Sequence, residues 1–249
     1  MVLSKPALPK PDFALDVRGH CAACEIRELS VCSALSQTEL ARLSAIIQGR
    51  RVETGGTVIS EGDPATDLFN VVRGSVKLYK LLPDGRRQVT GFLFPGDFLG
   101  IALNDIYAYT AEALEPLELC RFPRKKLEDL LAELPKLERR LLGETAHELA
   151  VAQDQMLLLG RKTAKERVAS FLVSLSRRAV KRRRPASPLE IPMSRTDMAD
   201  FLGLTTETVS RTLTQLRRAK LIADNGRKGI AILDRDGLSE LVDGDSSRD

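Results

Sequence analysis

The chain has no tryptophan, aromatics make up 4% of its 249 residues, and histidine occurs twice, at His20 and His147. Two separated histidines cannot build a His-rich metal triad. No apolar run reaches the roughly 18 residues that span a bilayer, and Met1 to Asp16 lacks the basic-then-apolar order of a secretory signal. A cytoplasmic protein with no membrane partner is expected. Catalytic signatures are missing too. There is no phosphate loop ending in Gly-Lys-Ser/Thr and no G-x-G-x-x-G, and Cys21 beside His20 lacks an orienting third group. The C-x2-C pair does not follow a strand of a βαβ unit, as a dithiol redox motif would. The expectation is a protein that is not an enzyme.

Cysteine is also scarce, but its placement is informative. Cys21, Cys24 and Cys32 form C-x2-C-x7-C near the start, and Cys120 stands far from them. In a reducing compartment, four cysteines read as metal ligands or reactive thiols rather than as two disulfides. Four thiolates can close around a tetrahedral zinc or a [4Fe-4S] cluster, and spacing alone does not choose between them. His20 reads as an exposed neighbour of Cys21, and His147 as a structural residue of a helix.

A hydrophobic content of 43% and this length leave room for two modest domains. Charge divides them. From Gly160 to Asp249 there are 19 Lys and Arg against 12 Asp and Glu, so this part is net positive and the first 159 residues are net negative. The basic part is the expected polyanion partner. Its densest stretch, Arg177-Arg178 and Lys181 to Arg184, is either a phosphate track or a solvated helix end.

Along the chain, Pro6, Pro9 and Pro11 mark residues 1–20 as a mobile arm. Ser36-Gln-Thr-Glu39 is a capping box opening a short helix with Leu40, Leu43, Ile46 and Ile47 inward, ending near Gly49. From Arg51 to Phe122, short β-branched and aliphatic runs alternate with turn signals such as Gly55-Gly56, Asp84-Gly85 and Pro95-Gly96, as in an antiparallel β domain. Leu127 to Leu134 reads as a helix stopped by Pro135. Lys136 to Leu159 then reads as one long helix, on which Leu142, Leu149 and Met156, with Thr145, Ala152 and Leu159, make a heptad-like seam suited to a homodimer.

Thr163 to Ala179 reads as a further amphipathic helix. Thr196 to Leu202 and Thr206 to Lys220, separated by Gly203 with Thr205 as cap, follow helix-turn-helix grammar. Ile222-Ala223, Asn225-Gly226 and Ile230 to Leu233 add a hairpin wing with a type I′ turn. Glu207, Ser210 and Arg211 fall at i, i+3 and i+4 and share one helix face. Arg can donate twice to guanine, a carboxylate can accept from cytosine, and Ser can do either, so the three can read one groove of double-stranded DNA. Val209 and Leu213 point inward. Thr206, Arg217, Arg218 and Lys220 are candidates for further contacts, the last three to phosphate.

The cysteine-bearing arm, a β-roll containing Ile59-Ser-Glu-Gly-Asp63 and Gly74-Ser-Val, the long helix and the Glu-x-x-Ser-Arg recognition helix together resemble the cyclic AMP receptor protein superfamily. Within it, the chain is similar to the FNR (fumarate and nitrate reduction regulator) branch, from Cys21 to about Leu241. The resemblance implies an α+β chain organised as an N-terminal antiparallel β-roll of jelly-roll, cyclic-nucleotide-binding type, a dimerisation helix and a C-terminal winged helix-turn-helix. The corresponding ranges are 21–135, 136–160 and 161–249. It further implies that Cys21, Cys24, Cys32 and Cys120 hold an oxygen-labile [4Fe-4S] cluster and that Glu207, Ser210 and Arg211 read TTGA-type inverted repeats. RNA polymerase would be a partner, with Leu82 to Gln88 as a contact loop. Two features depart from the best-known members: seven residues rather than five separate Cys24 from Cys32, and Thr206 stands where valine is common. Nucleotide-binding members carry Gly-Glu and then Arg-Ser or Arg-Thr; here the positions read Gly100-Ile101 and Tyr109-Thr110. A buried cyclic phosphate would lack its arginine, so no cyclic nucleotide is expected.

Overall fold

A computed structural model describes residues 21, 23–102, 105–226 and 229–243. The arm expected at 1–20 lies outside the described residues. The first segment is a compact loop of two 3-10 turns, Arg27–Leu29 and Val31–Ala34. Helix α1 (Gln37–Ser44) follows, closed by the capping box: Ser36 N donates to Glu39 Oε2 at 2.8 Å while Glu39 N donates back to Ser36 Oγ. It ends at Ser44, earlier than Gly49, because Gln48–Val52 is already strand β1, paired with the last strand of the roll.

The β-roll comprises β1, β2 (Thr57–Ile59), β3 (Asp67–Arg73), β4 (Val76–Leu81), β5 (Arg87–Leu93), β6 (Phe98–Leu99), β7 (Thr110–Ala113) and β8 (Leu117–Pro123). They form two four-stranded sheets, ordered β1-β8-β3-β6 and β2-β7-β4-β5, whose named pairs are all antiparallel. Val58, Phe69, Val71, Val76, Leu99, Ala111 and Leu119 fill the space between them. Burial alternates along β7 and along the first half of β8, the period of a strand with one face inward.

Helix α2 (Arg124–Glu133) leads into α3 (Pro135–Arg161). Pro135 stops one helix and opens the next, since a first-turn position requires no N–H donor. Helix α4 (Ala164–Lys181) is capped by Thr163 with Glu166, and β9 (Leu189–Glu190) follows. Helices α5 (Arg195–Leu202) and α6 (Thr206–Arg218) then flank Gly203, which takes the left-handed conformation at φ +61° that ends α5. Strands β10 (Ile222–Asn225) and β11 (Gly229–Ile232) form the wing, and α7 (Arg235–Asp243) closes the described chain.

The wing differs from expectation in two respects. Its register pairs Asn225 with Gly229, leaving three residues between the strands, so the two-residue type I′ turn is excluded. Strand β9 also joins it, making the sheet three-stranded, β10-β11-β9. The C-terminal core, with Val168, Leu172, Met198, Leu202, Val209, Leu213 and Leu216, also takes in Val89 and Phe92 of β5. Phe92, Phe171 and Phe201 meet with ring centroids 5.2–6.0 Å apart, so the two domains share one apolar core.

Candidate DNA-reading helix and cysteine site

Helix α6 carries its inward face on Val209, Thr212, Leu213 and Leu216, all buried. The helix therefore cannot rotate without opening the core, and this fixes the opposite face. Thr206, Glu207, Ser210, Arg211 and Arg218 are exposed. The cap is Thr205, whose Oγ1 accepts from Thr208 N at 3.1 Å. Ser210 Oγ donates to Thr206 O at 2.9 Å, a bond within the helix that leaves its lone pairs outward. Glu207 and Arg211 form no ion pair with each other or with any other described residue. They are therefore not the helix-stabilising pair their spacing would permit, and both remain available to base edges. Arg217 is different. It donates through Nε and Nη2 to Asp224 Oδ1 at 2.9 and 2.8 Å, bracing α6 to the wing, so a phosphate contact from Arg217 would have to displace that carboxylate.

Four arginines of the basic stretch at the end of α4 are likewise engaged. Arg178 and Arg182 both bind Asp97 of the β-roll, Arg184 binds Glu190, and Arg183 pairs with Glu28. Arg182 is only 11% exposed, so Arg178 and Arg182 form an interdomain clasp and are not free phosphate contacts, while Arg177, Lys181, Arg183 and Arg184 stay exposed. A second clasp holds α5. Lys77, 8% exposed, donates to Asp197 at 3.0 Å and sits 2.9 Å from Glu112, while Arg87 binds both Asp197 and Asp200 and Gln88 donates to Asp200 O. Burial pushes Asp197 up, but hydrogen bonds from Ser194 and Lys77 outweigh it and hold the carboxyl below its ordinary value. Arg167 completes the frame: it donates to Leu159 O and Lys162 O at the end of α3 and to Leu202 O and Gly203 O in the helix-turn-helix turn.

The cysteines of the N-terminal loop and of β8 come together beside the start of α3. Cys21, Cys32 and Cys120 pack against the cluster of Val31, Leu35, Phe122, Leu134 and Leu137, where the cysteine loop meets the start of α3. All four are free and half-buried. Burial first, then the neighbouring Cys21 and Cys24, push the Cys32 thiol up to about 11. Cys120 is driven higher by burial and then by Cys32, Cys21 and Cys24, and Cys21 rises through burial and Cys24. Every pair among the four therefore interacts, although Cys32 and Cys120 lie far apart in sequence. Among the described residues no three His, Cys, Asp or Glu side chains come close enough to hold one metal ion. Thiolates on a single zinc would stand about 3.8 Å apart, from a Zn–S bond of about 2.3 Å. Four thiols are the donor set of either a tetrahedral zinc or a four-iron cluster, and their arrangement here does not choose between the two.

On the long helix, the residues expected in a dimer seam are exposed, with one exception. Leu142, Leu149 and Met156 are 68%, 62% and 71% exposed, and Thr145 and Ala152 are exposed beside them. Leu159 leaves the stripe: its Cδ2 lies against the Gly203 position and it packs on the C-terminal core, because the turn of the helix-turn-helix folds back over the end of α3. His147 is exposed on α3.

In the β-roll, Tyr109 OH accepts from Gly100 N at 3.0 Å, and Tyr107 OH both accepts from Asp67 N and donates to Asp67 O. Tyrosine hydroxyls thus occupy backbone groups around Gly100, where the nucleotide-binding pattern has its Gly-Glu. The interdomain clasps were not visible in the sequence, since Lys77 and Asp197, or Asp97 and Arg182, carry no local signal of pairing. Only the Ser194–Asp197 capping box marked one of these residues.

A β-roll joined through a long helix to a winged helix-turn-helix with an outward Glu-x-x-Ser-Arg face defines a class of DNA-binding transcription regulators. Comparison with known proteins narrows this. Residues 49–133 match a cyclic nucleotide-binding domain and residues 166–241 a Crp-like helix-turn-helix domain. The nitrogen fixation regulation protein FixK of Bradyrhizobium diazoefficiens is 44% identical over 229 residues, covering 90% of this chain and 95% of that protein. The fumarate and nitrate reduction regulatory protein of Escherichia coli is 33% identical over 226 residues, 90% of each. The solved structure of FixK2 from Bradyrhizobium japonicum superposes with a TM-score of 0.74 at 39% identity, covering 79% of this chain and 97% of that one. The chain belongs to the FNR branch of the cyclic AMP receptor protein superfamily and is a DNA-binding transcription regulator. Among the described residues no helix is long and apolar enough to cross a membrane.

Proposed function

We propose that this regulator is a homodimer that senses oxygen through a [4Fe-4S] cluster and, with the cluster intact, binds TTGA-type inverted repeats to control low-oxygen metabolism. The observation that carries the reading is the convergence of four free thiols, from the N-terminal loop and from β8, beside the start of the long helix. Cys21, Cys24, Cys32 and Cys120 are the residues that would hold the cluster. When bound it supplies an oxygen-labile cross-link among four thiolates.

The chain's own residues do the rest. The tied loop keeps Val31 and Leu35 seated on Leu134 and Leu137, at the root of α3. Leu142, Leu149, Ala152 and Met156 then meet their symmetry mates, and the dimer sets two α6 helices about 34 Å apart for successive major grooves. Glu207, Ser210 and Arg211 read the bases. Cyclic nucleotide is not the effector in this reading, which is supported by Tyr109, at the position where nucleotide-binding members carry arginine, accepting from Gly100 N. The Leu82 to Arg86 turn, with Leu81 and Leu82 exposed, is the surface assigned to RNA polymerase, whereas Arg87 and Gln88 already hold α5.

Protein purified without oxygen should be brown, with about four irons and matching sulfide per chain, and should bleach in air. Stoichiometric zinc without sulfide would replace this reading by one in which the same cysteines hold a structural metal.

A further inference from the structure

The turn at Pro95-Gly96-Asp97 touches both the cysteine loop and the DNA-binding domain, which also meet directly in the exposed Arg183–Glu28 pair. On the loop side, a Cβ at Gly96 would come 2.8 Å from Leu29 Cβ, so turn and loop are in direct contact, and glycine at φ +97° is the residue that permits it. Leu29 lies between Cys24 and Cys32. On the other side the turn holds the end of α4. Asp97 accepts from Arg178 Nη2 at 2.7 Å and from Arg182 Nη2 at 2.6 and 2.7 Å, while Arg182 Nε donates to Pro95 O and Arg178 Nη1 to Phe92 O. Both guanidinium groups lie over the Phe94 ring, 4.9 and 5.2 Å from its centroid. The same carboxylate accepts from Phe94 N at 2.9 Å, so it closes its own turn as well.

Two guanidiniums this close repel unless an anion stands between them, and Asp97 is that anion. Helix α4 shares its buried face with α6 through Val168, Leu172, Val209 and Leu213, and a close-packed core passes a helix displacement on instead of absorbing it. We propose that Asp97 is a positioning residue for DNA binding, through which the seating of the cysteine loop reaches α4 and the recognition helix inside one protomer, separately from the dimer seam. This rests on the reading of the cysteine loop as the sensor.

The test uses the full chain prepared without oxygen, before and after iron removal, with three readouts: amide hydrogen exchange of Arg178 to Arg184, dimerisation by sedimentation, and affinity for a duplex carrying the inverted repeat. In the wild type these amides should exchange slowly with iron and faster without it, at protein concentrations where both forms are dimeric. Asp97→Asn keeps an acceptor for Phe94 N but loses the charge. It should retain wild-type iron content and dimerisation, bind DNA about tenfold or more weakly, and exchange quickly at Arg178 to Arg184 whether or not iron is present. Arg182→Gln, on the other side of the pair, should reproduce this, and Asp97→Glu should recover part of the affinity. Wild-type DNA affinity in Asp97→Asn, or exchange that still responds to iron in that variant, would overturn the proposal. So would wild-type exchange that ignores iron. A wild-type protein that holds no iron would sink the sensor reading and with it the link to the loop. The Asp97→Asn affinity would still decide whether Asp97 positions the DNA-binding domain.

Discussion

The long helix α3 is joined to the rest of the chain by different physics at its two ends. At its start, Leu134 and Leu137 meet Val31 and Leu35 in an apolar seat bordered by cysteines whose thiols are pushed toward the neutral form. Near its end, charge does the holding: Lys77 and Arg87 on Asp197 and Asp200, and Arg167 on four carbonyls, while the clasp of Arg178 and Arg182 on Asp97 lies between, beside the cysteine loop. An apolar seat has little directional preference and holds only while its parts stay pressed together, so a loop resting on it can be released by chemistry at sulfur. Hydrogen-bonded ion pairs fix angles as well as proximity. In the proposed reading the changeable junction lies at the cysteines, while directional ion pairs hold the DNA-binding domain to the β-roll.

The comparison can be broken first at the charged end. Asp197→Ala should destabilise the docked state by about 3 kcal/mol, because it leaves the buried Lys77 with Glu112 alone. A melting curve that loses only a few tenths would show that the clasp is ornamental. On the exposed seam between the two ends, Ala152→Glu should give a monomer by sedimentation that still retains iron, since a charge would be buried against its symmetry mate. A variant that stays dimeric would remove α3 as the interface. On the reading face, Arg211→Ala should cost about 1–3 kcal/mol in DNA binding and relax preference at one guanine. Arg218→Ala should weaken all duplexes alike and reduce the salt slope by about one unit. Identical, sequence-blind losses in both would contradict the assignment.

Acid should separate the two ends more gently. The folded Asp197 carboxyl lies below its ordinary 3.8, so its stabilisation is complete above that value and is lost as pH falls through the lower folded value. Calorimetry from pH 5 downward should show a steeper loss for the wild type than for Asp197→Asn. The smallest effect is local. Ser36→Ala should cost about 1 kcal/mol through the cap of α1 and leave DNA affinity unchanged.

The local grammar was readable from the chain because it depends on near neighbours. The Ser36 and Thr205 caps, the left-handed Gly203, the inward Val209 and Leu213 and the outward Glu207, Ser210 and Arg211 all follow from helical period and capping chemistry. The spacing of Cys21, Cys24 and Cys32 marked a site but not its geometry, and Cys120 was counted with them only as the one remaining cysteine of the chain. What tertiary structure alone decided involves partners beyond the reach of helical spacing, from 7 residues apart for Arg217 and Asp224 to more than 80 for Asp97 and Arg178, for which sequence offers no rule. It turned the basic stretch at Arg178 and Arg182 from a candidate DNA contact into a clasp on Asp97. It gave Arg217 a partner in the wing and drew Leu159 out of the seam onto the helix-turn-helix turn. A guanidinium is equally at home on a phosphate or on a carboxylate, and a leucine on a second chain or on its own. Only the fold determines which of these lies within reach.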